Sequence, residues 1–379
     1  MINLNKSYLF FLALTFLIPI LDFFYYLKNI DLVSIGKFPF LILFVISIIY
    51  HFKNRIYLTF TSVLFLLSLF FSFILSFFYQ NNINSATFSH SYSFLMPIFS
   101  ISFGYHFYAA YIENTQLQLF FKKIMYISFW VSICLTLGYI YSYYITKEWG
   151  YFGFGTGLPL IFGYILTINP KIAFFSFFLN IFSGKRTGII VTIVQYIRLL
   201  KFKKLLQTPI AATFSICVLI FLVQIMNKYD IFQRFELILD FNSNDAYMIF
   251  ISTGGRLTEI ISLFNYWSMN PEKLIFGSAL GAKFLFVDPR GEFPNELMHY
   301  SHFSPTFYVF LIGLPLTILL YISILKPLKY ISSLEPLTLI FLSFFVSSFF
   351  GSIMFVDPRF WFFFGCLLGY KKLKSTQYV

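Results

Sequence analysis

The chain has 379 residues, 59% of them apolar and only 11% charged, with a formal charge of +12 and a mean hydropathy of +0.78. Soluble domains carry about 25% charged residues, so one large soluble core is excluded for want of a polar surface to cover it. The cations gather in short stretches between apolar runs, which is how a membrane protein sets its orientation and not how a nucleic-acid-binding module is built.

Apolar runs of about 20 residues, the length that crosses a bilayer as a helix, recur from end to end. The predicted fold class is all-α: a polytopic helical membrane protein of about twelve transmembrane helices in a single membrane domain over 1–379. In chain order the predicted spans are 7–27, 33–50, 56–79, 91–112, 124–145, 155–169, 171–183, 187–200, 208–226, 303–325, 335–352 and 358–370. The first has a longer apolar run than a signal peptide and no small-x-small cleavage site, so it reads as an uncleaved span. Cys134, Cys217 and Cys366 all lie in apolar runs, without metal or disulfide spacing, and read as small core residues.

The loops sort by charge. Lys6, Lys53, Arg55, Lys122, Lys123, Lys171, Arg198, Lys201, Lys203, Lys204, Lys326, Lys329, Lys371, Lys372 and Lys374 fall on one side. Lys28, Lys37, Lys147, Lys185, Arg186 and Arg359 fall in the short loops opposite. The excess places both termini in the cytoplasm. The runs show no repeat of the kind that inverted-repeat transporters carry, and a transporter or flippase is the reading from another class that this weighs against.

"NIFSGKRTGII", residues 180–190, interrupts this pattern with two adjacent cations. Lys171 and Lys201 are both assigned to the cytoplasmic side. The chain between them can supply about 45 Å of helix at ~1.5 Å per residue. Two crossings of a ~30 Å core need about 60 Å. The turn at Ser183-Gly184 therefore lies below the outer surface and Arg186 sits at membrane depth, where a charge must face protein or water. Lys185 reads mainly as snorkelling to the lipid headgroups. Arg186 opens a helix, where free N–H groups and the macrodipole also favour an anion.

Residues 227–302 form one long polar insertion between spans 9 and 10, on the outer side, and carry the chemistry most readily. Within it "STGGRLTEIISLFNYW" places Arg256 after Gly254-Gly255, glycines that let backbone N–H groups approach an anion beside a bidentate guanidinium. Leu257, Ile260, Ile261, Phe264 and Trp267 then recur at helical spacing and predict an amphipathic helix, on the membrane plane or lidding a cavity. His302 lies at the mouth of the next span and can take a proton near neutral pH. His299 is three residues earlier. A helix would turn it roughly 60° away from His302, and no third ligand is well placed for a metal.

Together, "FSGKRTGII" between two short spans, "GGRLTEI" in a late outer loop, and "HFSPTFYVFLIGLPL" with His302 ahead of Gly313 resemble the bacterial O-antigen polymerase and O-antigen ligase superfamily. The likeness in topology covers nearly the whole chain, the motifs only these three stretches. The sequence departs from the family pattern at Lys185, where Ser is usual, and at Phe303, where Asn follows the histidine. The resemblance implies a metal-independent, cofactor-free, inverting glycosyltransferase in the bacterial inner membrane. It implies undecaprenyl-pyrophosphate-linked glycans as donor and acceptor, membrane lipids as surroundings and a chain-length regulator as a further partner. It assigns the leaving pyrophosphate to Arg186 and Arg256; Gly254, Gly255, Lys185, Arg290 and Tyr300 are further candidate substrate contacts read from the sequence. His302 becomes the candidate base for the acceptor hydroxyl, with Glu292 and Glu296 as rivals. The polymerase, which joins repeat units, is favoured over the ligase, which moves finished polymer to lipid A–core.

Overall fold

The structure is a computed structural model that describes residues 6–16, 38–79, 81, 83–146, 165, 190–195, 256–287, 296–332, 335–349 and 353–376. It is mainly helical. Helices α1 (Lys6–Phe16), α2 (Phe38–His51), α3 (Phe60–Phe78), α4 (Ser85–Glu113) and α5 (Thr115–Thr146) come first. After a short helical stretch at 190–195 come α6 (Arg256–Met269) and α7 (Pro271–Phe276), then strands β1 (Phe284–Phe286) and β2 (Glu296–Met298). The chain ends with α8 (Ser304–Leu325), α9 (Pro336–Ser348), α10 (Ile353–Val356) and α11 (Pro358–Thr376).

Among the described residues, three helical stretches are long and apolar enough to cross a membrane: Phe60–Phe78, Thr115–Leu135 and Ser304–Tyr330. Lys6–Phe16, Phe38–His51 and Pro336–Ser348 are apolar but shorter. Spans predicted at 155–169, 171–183, 187–200 and 208–226 fall outside the described residues, apart from 165 and 190–195. At the tenth span, expected at 303–325, the helix runs from Ser304 to Leu325 and continues as a 3-10 turn through Lys326–Tyr330.

Helix α4 is the centre of the described bundle, packing against α2, α3, α5, α10 and most extensively α11. Its N-terminus is specified locally by a capping box. The Asn84 side chain accepts from the Thr87 N–H at 3.2 Å, and the Thr87 hydroxyl accepts from the Asn84 N–H at 3.1 Å. Helices α4 and α11 approach closely because each offers a glycine. A Cβ at Gly104 would collide with the Phe362 carbonyl, and one at Gly365 with the Ile101 carbonyl. Without a hydrophobic drive between apolar helices in lipid, such close backbone packing is what holds them. Phe11, Phe103, Phe107 and Phe362 fill the space around the contact.

Arg359, expected in a short outer loop, is buried instead. Its guanidinium bonds the Asp357 carboxylate at 2.6–2.9 Å and the Thr15 carbonyl at 3.3 Å. It lies against the rings of Phe40 and Phe344. Loop counting missed this because a charge that finds a carboxylate two residues away can turn inward.

Helix α8 is broken on purpose. Gly313 has φ 79° and Pro315 follows two residues on. Proline has no N–H, so the Leu311 carbonyl loses its helical donor. Residues 277–282, all buried, fill the gap. The Ser278 N–H bonds the Phe310 carbonyl at 2.7 Å and the Ala279 N–H bonds the Leu311 carbonyl at 3.4 Å. The carbonyls of this segment are met from α3 and the turn after it. Asn81 Nδ2 donates to Ser278 and Leu280, Asn84 Nδ2 to Gly281, and Ser76 Oγ to Leu280, all at 3.0–3.2 Å. Irregular backbone among spanning helices requires this kind of full satisfaction.

The segment leads into a feature that the all-α reading did not anticipate. β1 and β2 form an antiparallel ribbon, with Phe284 opposite Met298, Leu285 opposite Leu297 and Phe286 opposite Glu296. Three-residue strands are too short to show an alternating pattern in the sequence.

Candidate active site

Helix α6 carries the first part of the site. Its buried residues are Glu259, Ser262, Leu263 and Trp267. Of the predicted apolar stripe, Ile261 and Phe264 point outward, Phe264 at 61% exposure. The buried face therefore includes a carboxylate, and of the apolar stripe Trp267 is buried, Leu257 and Ile260 are half-buried, and Ile261 and Phe264 are left outside.

Glu259 meets the segment between β2 and α8. Its Oε1 lies 2.6 Å from His302 Nδ1, and its Oε2 accepts from the His302 backbone N–H at 2.8 Å. The Ser301 hydroxyl reaches Oε2 at 3.3 Å. The Thr306 hydroxyl donates to the Phe303 carbonyl, so the Ser301 proton is shared between Thr306 Oγ1 at 3.0 Å and Glu259. The Phe303 N–H bonds back to Ser301 Oγ at 3.3 Å. These bonds hold residues 301–303 in a fixed turn ahead of α8.

The arrangement decides the histidine tautomer. A carboxylate only accepts, so Nδ1 carries the proton and the Nε2 lone pair is left for another donor. Nε2 has no partner among the described residues, and the His302 side chain is 42% exposed while Glu259 is 6%. A half-open imidazole backed by a buried carboxylate can take a proton at Nε2 and be stabilised as the imidazolium.

Helix α4 supplies the rear support. His90 is fully buried; its Nδ1 accepts from the Gly281 N–H at 3.2 Å and its Nε2 lies 2.7 Å from the His299 carbonyl. An acceptor at one nitrogen and a donor at the other define a neutral ring with the proton on Nε2. His90 thus ties the residues entering β1 to those leaving β2. This also corrects the expectation that a helix separates His299 from His302. Residues 299–303 are not helical, and Phe303 is the N-cap of α8. What turns the two rings apart is the loop, not a helical pitch.

Arg256 is one helical turn before Glu259 on α6. Burial lowers its guanidinium below the ordinary value, and the Glu259 carboxylate opposes that shift. The Tyr300 ring stands edge-on to His302 at 5.3 Å between centroids. Burial, then Glu259, then Glu296 raise its phenol, so it keeps its proton as a donor.

The structure thus brings Arg256, Tyr300 and His302 around one carboxylate. Arg186, Lys185, Gly254, Gly255, Arg290 and Glu292 lie outside the described residues. Glu296 is exposed on β2, and among the described residues no three His, Cys, Asp or Glu side chains gather as metal ligands. Glu259 is the site residue that sequence reasoning passed over. It lies opposite the apolar stripe, where an acid reads as solvated. Its place three residues after Arg256 was the available signal, since i and i+3 share a helix face. No family model, curated protein or solved structure matches the chain.

Proposed function

We propose that this protein is an O-antigen polymerase, a metal-independent inverting glycosyltransferase acting on undecaprenyl-pyrophosphate-linked glycans at the periplasmic face of the inner membrane. The observation that carries the reading is the Glu259–His302 pair beside Arg256, in a chain whose described helices are largely apolar. In the proposed reaction the acceptor hydroxyl attacks the donor's anomeric carbon. His302 Nε2 takes the hydroxyl proton, the new glycosidic C–O bond forms, and the bond to the pyrophosphate oxygen breaks with inversion. Glu259 holds the ring by Nδ1–H and stabilises its charge. Arg256, together with Arg186, neutralises the departing pyrophosphate, work that arginine forks do without a metal. The lipid-linked substrate would reach this site from the bilayer, with a chain-length regulator setting polymer size.

The test is reconstitution of the full chain with synthetic undecaprenyl-pyrophosphate-linked repeat units and EDTA. Polymer from the unaltered protein and none from His302→Ala is the expected result. Absence of any transfer product from well-folded protein sinks the reading. The ligase is distinguished in cells: loss of the gene leaves bare core and accumulated lipid-linked polymer, whereas loss of a polymerase leaves single-repeat lipopolysaccharide.

A further inference from the structure

Ile261 and Phe264 of α6 face away from the protein, and their surroundings fix what they face. Helix α3 has 19 residues without a charge. At ~1.5 Å per residue it matches the ~30 Å hydrocarbon core, so its end at Phe78–Tyr79 marks the boundary between acyl chains and headgroups. Helix α7 is level with that end. Lys273 Nζ lies 5.3 Å from the centroids of both the Tyr79 and the Tyr266 rings, joining the end of α3 to α6. Ser76, in the last turn of α3, bonds the Leu280 carbonyl just beyond α7. On the other side, the Ile275 carbonyl packs against Gly313 at the break in α8, so closely that no Cβ fits there. Two spanning helices therefore hold α6 and α7 at interfacial height. A lysine among tyrosines is the composition of that zone.

At this height the outward residues are an apolar set with Asn265, Ser268 and Glu272 among them. Ile261 and Phe264 on α6 and Ile275 and Phe276 on α7 are all exposed, as are Leu314 and Ile318 on α8. We infer that α6 and α7 are interfacial helices whose outward side rests on the acyl chains of the bilayer leaflet on the site's side. The buried depth expected for such a helix is about 5–10 Å into the headgroup–acyl boundary. One helix then has two partners: lipid along Ile261 and Phe264, and His302 through Glu259 on the opposite side. The membrane surface thereby sets the height of the carboxylate. This placement does not depend on the chemistry of the site.

The test uses the full chain in lipid nanodiscs. Phe264→Cys and Ile275→Cys each carry an environment-sensitive fluorophore, with Glu296→Cys on exposed β2 as the water-facing control and the signal of the equally treated unsubstituted chain subtracted. The expected result is loss of emission at positions 264 and 275 with lipid spin-labelled high on its acyl chain, and little loss with aqueous iodide. Glu296→Cys should show the reverse. Quenching of position 264 by iodide and not by lipid overturns the inference. Protection from both quenchers, as a second copy or another segment seated on this side would give, overturns it as well.

Discussion

Glu259 and His302, 43 residues apart in the chain, meet through two hydrogen bonds to the two oxygens of one carboxylate, at 2.6 Å from the ring Nδ1 and 2.8 Å from the backbone N–H. The double contact makes Glu259→Gln a sharp probe. The oxygen that faces the backbone N–H must remain an oxygen, so the amide nitrogen of Gln takes the position opposite Nδ1. Nδ1 then becomes an acceptor and the proton moves to Nε2, which can no longer serve as a base. Glu259→Gln should lose at least about a hundredfold in kcat, the lower end for a general base, with donor KM little changed. A variant with unaltered kcat would show that the tautomer is irrelevant.

His302→Ala should lose at least about a hundredfold in rate while donor binding survives. His299→Ala should keep most activity, because its anchoring bond to His90 comes from the backbone carbonyl. If His302→Gln is nearly fully active, the residue positions substrate by hydrogen bonding and accepts no proton. Equal losses at both positions together with EDTA inhibition would point to a metal instead.

Arg256→Ala is expected to abolish polymer formation while the protein still inserts, and Arg186→Ala likewise. Arg256→Lys should also be badly impaired, because an ammonium cannot reproduce the bidentate fork. Polymer ladders from membranes of each variant, normalised to protein level, provide the measurement. Near-normal ladders from Arg256→Ala would remove it from the pyrophosphate.

His90→Ala would orphan the buried Gly281 N–H and remove the bond to the His299 carbonyl. An orphaned buried group costs about 1–3 kcal/mol, so the melting temperature in detergent should fall and activity with it. His90→Gln still offers one donor and one acceptor and should recover part of both. Identical melting of His90→Ala and the parent would mean that the ribbon is held by other contacts.

For the Asp357–Arg359 pair, removing both charges should cost less than removing one. Arg359→Met alone leaves a buried carboxylate unpaired and should destabilise by about 3–5 kcal/mol. The double change Asp357→Leu, Arg359→Met removes both charges and should be far less harmful, losing mainly the carboxylate that caps α11 through the Arg359 N–H, about 1 kcal/mol. Thermal unfolding of the single and double variants decides it; a double variant as unstable as the single one would assign the pair a role beyond charge balance.

The membrane class and the entry to α8 were legible in the sequence, because both depend on local quantities: run length, charge density and the position of a proline or a cap. Arg256 and His302 also stood out, since a cation after two glycines and an imidazole beside an apolar run are rare in so apolar a chain. Glu259 did not, and the reason is geometric. A carboxylate's role depends on which side of its helix is covered, and periodicity alone left the apolar stripe of α6 to the membrane plane or to a cavity. Only the packed structure shows which side is covered, because Ser76, Asn81, Asn84 and His90, from the end of α3 to the start of α4, clasp residues 278–281. That clasp, with the opening in α8 made by Gly313 and Pro315, turns the carboxylate side of α6 toward His302. The sequence determined which groups were present; long-range hydrogen bonds across some 200 residues decided which of them meet, because no local pattern encodes a partner that distant.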